Sequence, residues 1–290
     1  MASTARYSDG LMMEAAEVGL EGGREIAMPC LWAPKPLPHA PLWARMGARF
    51  DAAHFMSCSP PPQIGKVAAG VGSENGQRRY LRAHVKMAGS DVVFWPSELD
   101  PVWTVARCAL ESFAAWRPEW RRCWVHVTWE AGWVEAGKSQ RVPGWHVDGF
   151  QGPRSEPHAS ECSALWADAL PTQYCVQPFY VGHLDPARHN IHDELEAQAR
   201  LCNAVEGESN GVYLIDPYMP HRAAVAKNRV WRNVARVTCS DQMLEDPANT
   251  VNRMLPVSQK HPRRSEARDR LWSHQGEPPW SSLGWRPLAD

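Results

Sequence analysis

The strongest periodic pattern in the chain is a run of apolar residues at helical spacing just after residue 100. From Val102 to Phe113 apolar side chains recur every three or four positions, which predicts a helix that buries one face. Asp100 precedes the run as a candidate N-cap, Pro101 stands in the first turn, and Arg117-Pro118 marks the end. The pattern therefore predicts a helix over residues 102–117.

Alternation of apolar and polar residues predicts strands before and after this helix. Residues 80–87 and 123–134 alternate, and the second run places Cys123, Val125, Val127 and Trp129 on one face and Trp124, His126, Thr128 and Glu130 on the other. Further strands are predicted over 162–169, 172–181, 211–218 and 230–239, and a short helix over 189–203. Strands and helices do not alternate regularly, so the predicted fold class is mainly β with flanking helices, a double-stranded β-helix or jelly roll.

The length of 290 residues is enough for one substantial core, and we predict a single catalytic domain over 1–290. Residues 1–77 are rich in proline and show little periodicity, which predicts an irregular segment that wraps the core. The jelly-roll core is predicted over 78–240. Residues 241–290 are expected to form a polar, Pro-rich C-terminal extension.

Charge and cysteine content restrict the expected partners and cellular location of the protein. The net charge of -1 gives no global field that would attract nucleic acid or an anionic membrane. The eight cysteines are scattered without a C-x-x-C pair, which favours reduced thiols over disulfides or a zinc site. No secretory signal and no apolar run of about 18 residues is evident. We therefore expect a cytoplasmic protein without a membrane span.

The chemistry-bearing motif is a histidine two residues before an aspartate, and it occurs twice, as His146-Val147-Asp148 and as His183-Leu184-Asp185. Either copy alone is weak evidence, because surface histidines often stand beside carboxylates. The first copy is favoured, since His221 follows it by 75 positions, which leaves room for strands and a helix between them. Two imidazoles and one carboxylate form the ligand set that holds non-haem Fe(II) and leaves open positions.

Two arginines follow the distal histidine in a predicted strand. Arg232 and Arg236 lie 11 and 15 positions after His221, and residues four apart in a strand point to the same face. A guanidinium binds a carboxylate with a bidentate fork that lysine does not offer. The two arginines therefore indicate a binding site for an anion near the predicted metal ligands.

Over about one third of its length, these residues make the chain resemble the Fe(II)/2-oxoglutarate-dependent dioxygenase superfamily. The resemblance implies that His146, Asp148 and His221 hold Fe(II) and that 2-oxoglutarate is the cosubstrate. Because Asp148 is present, the resemblance implies hydroxylation, or demethylation or desaturation, rather than the halogenation of relatives that lack this carboxylate.

The resemblance leaves the cosubstrate residues open between two patterns. The spacing of Arg232 is similar to that in taurine dioxygenase-like members, whereas Arg236-Val237-Thr238 resembles the R-x-S pattern of others. In the taurine-type members a threonine also contacts the cosubstrate, and Thr172 is its counterpart here, 26 positions after His146.

The substrate is less constrained. Trp145 and Phe150 flank the motif and either line a substrate pocket or pack in the core. We expect a polar small molecule, sugar or amino acid as substrate. A nucleobase in DNA or RNA is the alternative, guided by the basic residues between Lys260 and Arg270. A zinc hydrolase or a non-catalytic jelly-roll binding protein are further alternatives that would not need the arginines.

A second group of candidate metal ligands stands at His189-x-x-His192-Asp193. Its spacing would put the two imidazoles on one face of a helix. We interpret it instead as the polar, solvated start of the predicted helix over 189–203, because polar residues are common in the first turn of a helix.

Overall fold

The computed structural model describes residues 16–20, 22–28, 49–57, 59–68, 76–116, 120–141, 144–148, 161–184, 191–244 and 249–257. Within these ranges the helices are α1 (Trp103–Trp116) and α2 (Ile191–Gln198). The strands are β1 (Ala16–Leu20), β2 (Gly23–Ala27), β3 (Gln63–Lys66), β4 (Arg78–Lys86), β5 (Val92–Pro96), β6 (Trp124–Val134), β7 (Glu161–Ala167), β8 (Gln173–Cys175), β9 (Ala204–Glu206), β10 (Gly211–Ile215), β11 (His221–Arg222) and β12 (Val230–Ser240).

Two antiparallel sheets organise these strands. The large sheet has nine strands in the order β1-β2-β5-β4-β6-β12-β7-β10-β3, and the small sheet has the order β11-β8-β9. The segment around His146 adds to the small sheet through a bridge to His221. From β6 to β12 the chain passes back and forth between the centre of the large sheet and the small sheet. The fold is therefore mainly β, a jelly roll with flanking helices.

Strand alternation gives the large sheet an apolar outer face and a polar inner face. Helix α1 covers the outer face, where Val105, Leu110 and Phe113 join Val125, Val127 and Trp129 in one apolar cluster. Burial of each such side chain stabilises the fold by roughly 1.5–3 kcal/mol. The inner face looks toward the small sheet, because Leu165 and Ile215 pack on Tyr174 and Met219. On that face the buried polar side chains include His126, Thr128, Glu130, Ser163, Arg232 and Thr238.

The structure confirms the predicted central helix and most of the predicted strands. Helix α1 and strands β4, β6, β7, β10 and β12 lie where the periodicity placed them. The helix start differs, because a 3₁₀ turn over Ser97–Val102 precedes α1 and contains Pro101. Asp100 is not an N-cap, since its carboxylate accepts hydrogen bonds from Arg24 and from the Trp95 indole.

Three other predictions are corrected. The strand predicted over 172–181 is limited to β8, since Pro178 lacks the N–H that would continue a ladder. Within 189–203, α2 and a 3₁₀ turn at Leu201–Asn203 replace one continuous helix. The prediction of an irregular segment over 1–77 is wrong for β1, β2 and β3, which extend both edges of the large sheet. Low periodicity hid these strands because they are short.

In the ranges that the structure describes, no helix combines the length and apolarity that crossing a membrane requires.

Candidate metal centre

Backbone pairing brings the two predicted histidine ligands together. His146 and His221 exchange both of their backbone hydrogen bonds, at 3.0 and 2.8 Å, as an antiparallel pair does. Residues paired in this way present their side chains on the same face, and the two ring centroids lie 4.4 Å apart. Two residues that lie 75 positions apart in the chain are thus brought into one site.

The orientation of each imidazole is set by a carbonyl group two residues earlier. His146 Nδ1 lies 2.9 Å from the Gly144 carbonyl oxygen, and His221 Nδ1 lies 2.9 Å from that of Met219. A carbonyl oxygen only accepts, so these contacts assign the ring proton to Nδ1. Each Nε2 therefore carries the lone pair that a metal ion binds, with its ring fixed from behind.

Asp148 completes a three-ligand set. It stands two residues after His146, and its Oδ2 lies 3.3 Å from His221 Nε2. One ligand atom from each of His146, Asp148 and His221 falls within 4.8 Å of the others. Two imidazole nitrogens and one carboxylate oxygen on one side of a metal ion leave the other side open for exogenous ligands.

The electrostatics of the site keep these groups in the forms that bind metal. Burial, together with the neighbouring His221, lowers the pKa of His146 to about 4, so its imidazole is neutral at physiological pH. Burial alone would raise the pKa of Asp148, but the neighbouring Arg236 guanidinium outweighs it and holds that pKa well below its usual range. A neutral imidazole and an ionised carboxylate are the required ligand states.

Arg236 is already engaged by two carboxylates. Its Nη1 lies 3.0 Å from Asp148 Oδ2 and its Nη2 lies 3.0 Å from Glu161 Oε2. Its Nε donates to the hydroxyls of Ser163 and Thr238, both at 3.1 Å. All three nitrogens of the guanidinium therefore have partners inside the jelly roll, and Nη1 fixes the carboxylate of the predicted metal ligand.

Arg232 differs in that its hydrogen bonds go to neutral oxygens, while the carboxylates of Asp168 and Glu130 interact with it only electrostatically. It is 2% exposed, its Nε donates to the carbonyls of Ala169 and Leu170 at 3.1 and 3.0 Å, and its Nη1 donates to Gln140 Oε1 at 2.6 Å. No carboxylate among the described residues forms an ion pair with it. Burial lowers the pKa of Arg232 to about 10, which reflects the cost of holding this cation away from water.

Thr172 lies at the same end of the interior as Arg232. Its side chain forms a hydrogen bond with Tyr174, and Tyr174 is close enough to Arg232 for the two to interact electrostatically. Burial raises the pKa of Tyr174, so its hydroxyl stays protonated. The structure thus groups two of the predicted cosubstrate residues, Thr172 and Arg232, with one tyrosine that the sequence pattern did not single out.

Of the two alternatives that the sequence leaves open for Trp145, the structure favours packing in the core. Neighbouring strand residues point to opposite faces, and Trp145 packs in an apolar cluster with Phe55, Phe179 and Tyr218, away from His146. The other pocket residue predicted, Phe150, lies outside the described residues. The basic stretch from Lys260 to Arg270 lies outside them as well.

The competing motifs do not form a second metal cluster in the ranges that the structure describes. His183 lies 3.8 Å from Glu194 and is largely exposed, while Asp185 and His189 fall outside the described residues. His192 is buried against the first site instead, because its ring meets that of His146 at a centroid distance of 5.7 Å. Burial, together with His146, lowers the pKa of His192 to about 3, so this ring is neutral.

Sequence reasoning missed Glu161, Gln140 and Glu196, which contact predicted site residues. Glu161 pairs with Arg236, Gln140 with Arg232, and Glu196 with the backbone of Trp145. Only Glu196 carried a usable signal, since it stands four residues after His192 in a predicted helix and so shares its face. Glu161 begins β7 and Gln140 lies in a loop, and neither position belongs to a periodic pattern that would single it out.

Comparison with known proteins finds structural similarity at low sequence identity and low TM-score. No protein-family model matches the chain, and no curated protein matches its sequence. EvdMO1 is 17% identical with a TM-score of 0.35 over 65% of this chain and 48% of its own, so the chain spans about half the length of EvdMO1. AviO1 from Streptomyces viridochromogenes Tue57 is 17% identical with a TM-score of 0.35, over 69% of this chain and 95% of its own.

A third structure was determined with ligands. HygX from Streptomyces hygroscopicus with nickel and 2-oxoglutarate bound is 6% identical, with a TM-score of 0.25 over 48% of this chain and 64% of its own. TM-scores this low carry no argument about chemistry, so a functional conclusion has to come from the residues of the site.

Proposed function

We propose that the protein is an Fe(II)/2-oxoglutarate-dependent dioxygenase that hydroxylates a C–H bond of a polar small molecule, sugar or amino acid. The observation that carries the proposal is the convergence of His146, Asp148 and His221 within 4.8 Å. Both imidazoles are fixed through Nδ1, so both present Nε2 to the same point. This donor set fits Fe(II), which takes two histidines and one carboxylate in oxygenases of this type.

The arginines favour an oxygenase over a zinc hydrolase that would use the same three ligands. A zinc hydrolase needs a metal-bound water, but it does not need a cationic side chain that binds the far carboxylate of a cosubstrate. Arg232 is a buried cation whose hydrogen bonds go to neutral oxygens and not to a carboxylate. Such a group gains most from an incoming anion, because its desolvation has already occurred in the folded protein.

Arg232 is accordingly the better anchor for the far carboxylate of 2-oxoglutarate. Arg236 touches Asp148 and is committed to two carboxylates. Arg232 precedes it by four residues on the same strand face, about 13 Å along β12, and is the more buried of the two. Thr172 and Tyr174 stand near it as further polar partners.

When bound, Fe(II) and 2-oxoglutarate would supply the oxidising chemistry, with succinate and CO₂ as products. The residues of this chain bind and orient. The Gly144 and Met219 carbonyls hold the imidazoles, and Arg236 keeps the Asp148 carboxylate ionised and in place. Arg232 would align the cosubstrate. On the outer face of the large sheet, apolar packing against α1 excludes water.

Formation of succinate tests the proposal. Protein supplied with Fe(II), ascorbate and 2-oxoglutarate should produce succinate slowly even without a substrate. His146→Ala and Asp148→Ala should lower the rate by at least roughly 100-fold, because each removes a metal ligand. His183→Ala, in the other H-x-D motif, should leave the rate unchanged. A wild-type rate equal to that of His146→Ala would refute the proposed activity.

A further inference from the structure

The backbone of the metal-ligand segment is held on both of its edges. On one edge His146 pairs with His221 in β11. Backbone groups alternate in direction along a strand, so the N–H of Trp145 and the C=O of Val147 point to the other edge, where none of the described strands continues the small sheet. Helix α2 lies there instead.

Two side chains of α2 take the positions that a neighbouring strand would occupy. Glu196 Oε2 accepts the Trp145 N–H at 2.7 Å, and His192 Nε2 lies 3.4 Å from the Val147 carbonyl oxygen. The two contacts are made by the residues immediately before and after His146. His192 and Glu196 are four residues apart, so one face of the helix makes both contacts.

The same helix face also touches the ligating ring. The imidazole of His192 packs edge-on against that of His146, with an interplanar angle of 64°. Ile191 and Leu195 anchor the helix in the apolar cluster that includes Trp145 and Val147. The helix is therefore fixed to the segment by apolar packing and meets it again through polar contacts.

We propose that Glu196 is a positioning residue of the metal centre, with His192 as its partner on α2. A carboxylate that accepts a backbone N–H makes a charge-assisted bond, roughly twice as strong as a neutral one. Through that bond Glu196 fixes the backbone of Trp145, and hence the direction from which the His146 ring approaches the metal ion. The inference rests on the proposed function, because it assigns His146 as a ligand.

The test is Co²⁺ affinity measured by calorimetry on the full chain, together with amide exchange at Trp145. Glu196→Ala should raise the Kd for Co²⁺ by about tenfold, the low end of the effect of groups that orient metal ligands. Exchange of the Trp145 amide should accelerate. Glu196→Gln should restore both values toward wild type, because its side-chain carbonyl still accepts the N–H.

Glu194→Ala is the matched control, since Glu194 lies on the same helix but bonds to Gln198 and His183. Its Co²⁺ affinity should equal that of wild type. Wild-type affinity in Glu196→Ala, or an equal loss in Glu194→Ala, would overturn the positioning role and leave the proposed function intact. A wild-type protein that binds no Co²⁺ overturns both, and the failure then lies with the metal centre itself.

Discussion

Two arginines on one strand face have different partners, and on this difference we assign them separate tasks. Arg236 bridges Asp148 and Glu161, whereas Arg232 is held by two carbonyls and an amide. Because Arg232 is buried and its hydrogen bonds go to neutral oxygens, we assign it to the binding of an anion. Arg236 already touches two carboxylates and serves instead to hold them.

Replacement of Arg232 should weaken cosubstrate binding. Arg232→Lys keeps the charge but loses the planar fork, and we expect the Kd for 2-oxoglutarate to rise by at least roughly 30-fold, because one partner of a buried charge pair is impaired. Titration of the Co²⁺-loaded protein measures this. Arg229→Ala, an exposed arginine bound to Glu135, is the control. A larger loss in Arg236→Lys than in Arg232→Lys would reverse the assignment.

Replacement of Arg236 should destabilise the metal-free protein and be partly rescued by metal. Arg236→Ala leaves Asp148 and Glu161 without their shared cation. We expect a loss of roughly 3 kcal/mol, the low end for a broken buried pair, since about 24% of the guanidinium side chain is exposed. Urea unfolding with and without Mn²⁺ measures it. A metal-independent loss would show that Arg236 does not act through Asp148.

The spacing of His146, Asp148 and His221 made these three predictable, because an H-x-D pair presents both side chains on one strand face. The choice between Arg232 and Arg236 was not predictable. Both share a face, and what separates them is Glu161 and Gln140, which lie 75 and 92 positions away along the chain.

At the scale of elements, Lys86 joins the end of β4 to the start of β6. Its Nζ donates to the carbonyls of Trp120 and Cys123 at 3.0 and 2.8 Å and also contacts those of Met87 and Arg121. The ammonium lies 4.4 Å from the centroid of the Trp120 ring. The 3₁₀ turn at Trp120–Arg122, which leads into β6, is thus fixed by one buried side chain.

The stability of the protein should depend on the ionisation of Lys86 above neutral pH. Burial lowers the pKa of Lys86 from 10.5 to about 8. The unfolded chain therefore holds a proton that the folded protein has released between these values, and folding becomes more favourable as pH rises through that window. At 1.4 kcal/mol per unit the gain is at most about 3 kcal/mol.

Urea unfolding at pH 7.5, 9 and 10 measures this effect against Lys86→Met, which removes the titrating group. The free energy of unfolding of wild type should increase with pH relative to that of the variant. A difference between the two proteins that does not change with pH would contradict the account.

Periodicity predicted α1 and β6 because their apolar positions pack against each other, and such packing leaves a regular pattern in both elements. The polar residues of β6 and β12 alternate with apolar ones, as they would in a strand whose polar face is exposed to solvent. That they point into the jelly roll depends on the small sheet opposite them. Its strands have two or three residues, too few to leave a periodic signal.

At the scale of the whole molecule, binding at the site should stabilise the jelly roll, because the residues that would bind metal and cosubstrate come from both sheets. Mn²⁺ with 2-oxoglutarate at about 100 times Kd should add roughly 2.7 kcal/mol. For a chain of this size that corresponds to a rise in Tm of about 4 °C. Asp148→Ala should show no rise, and an equal rise in both proteins would place the binding elsewhere.

The most direct test of the central claim is anaerobic titration of the metal-free protein with Fe(II) and 2-oxoglutarate, followed in the visible range. We predict a weak charge-transfer band that appears only when both are present and that is lost in His146→Ala and Asp148→Ala. A folded wild-type protein that shows no band, or a band that persists in both variants, would contradict the assignment of His146, Asp148 and His221 as the iron site.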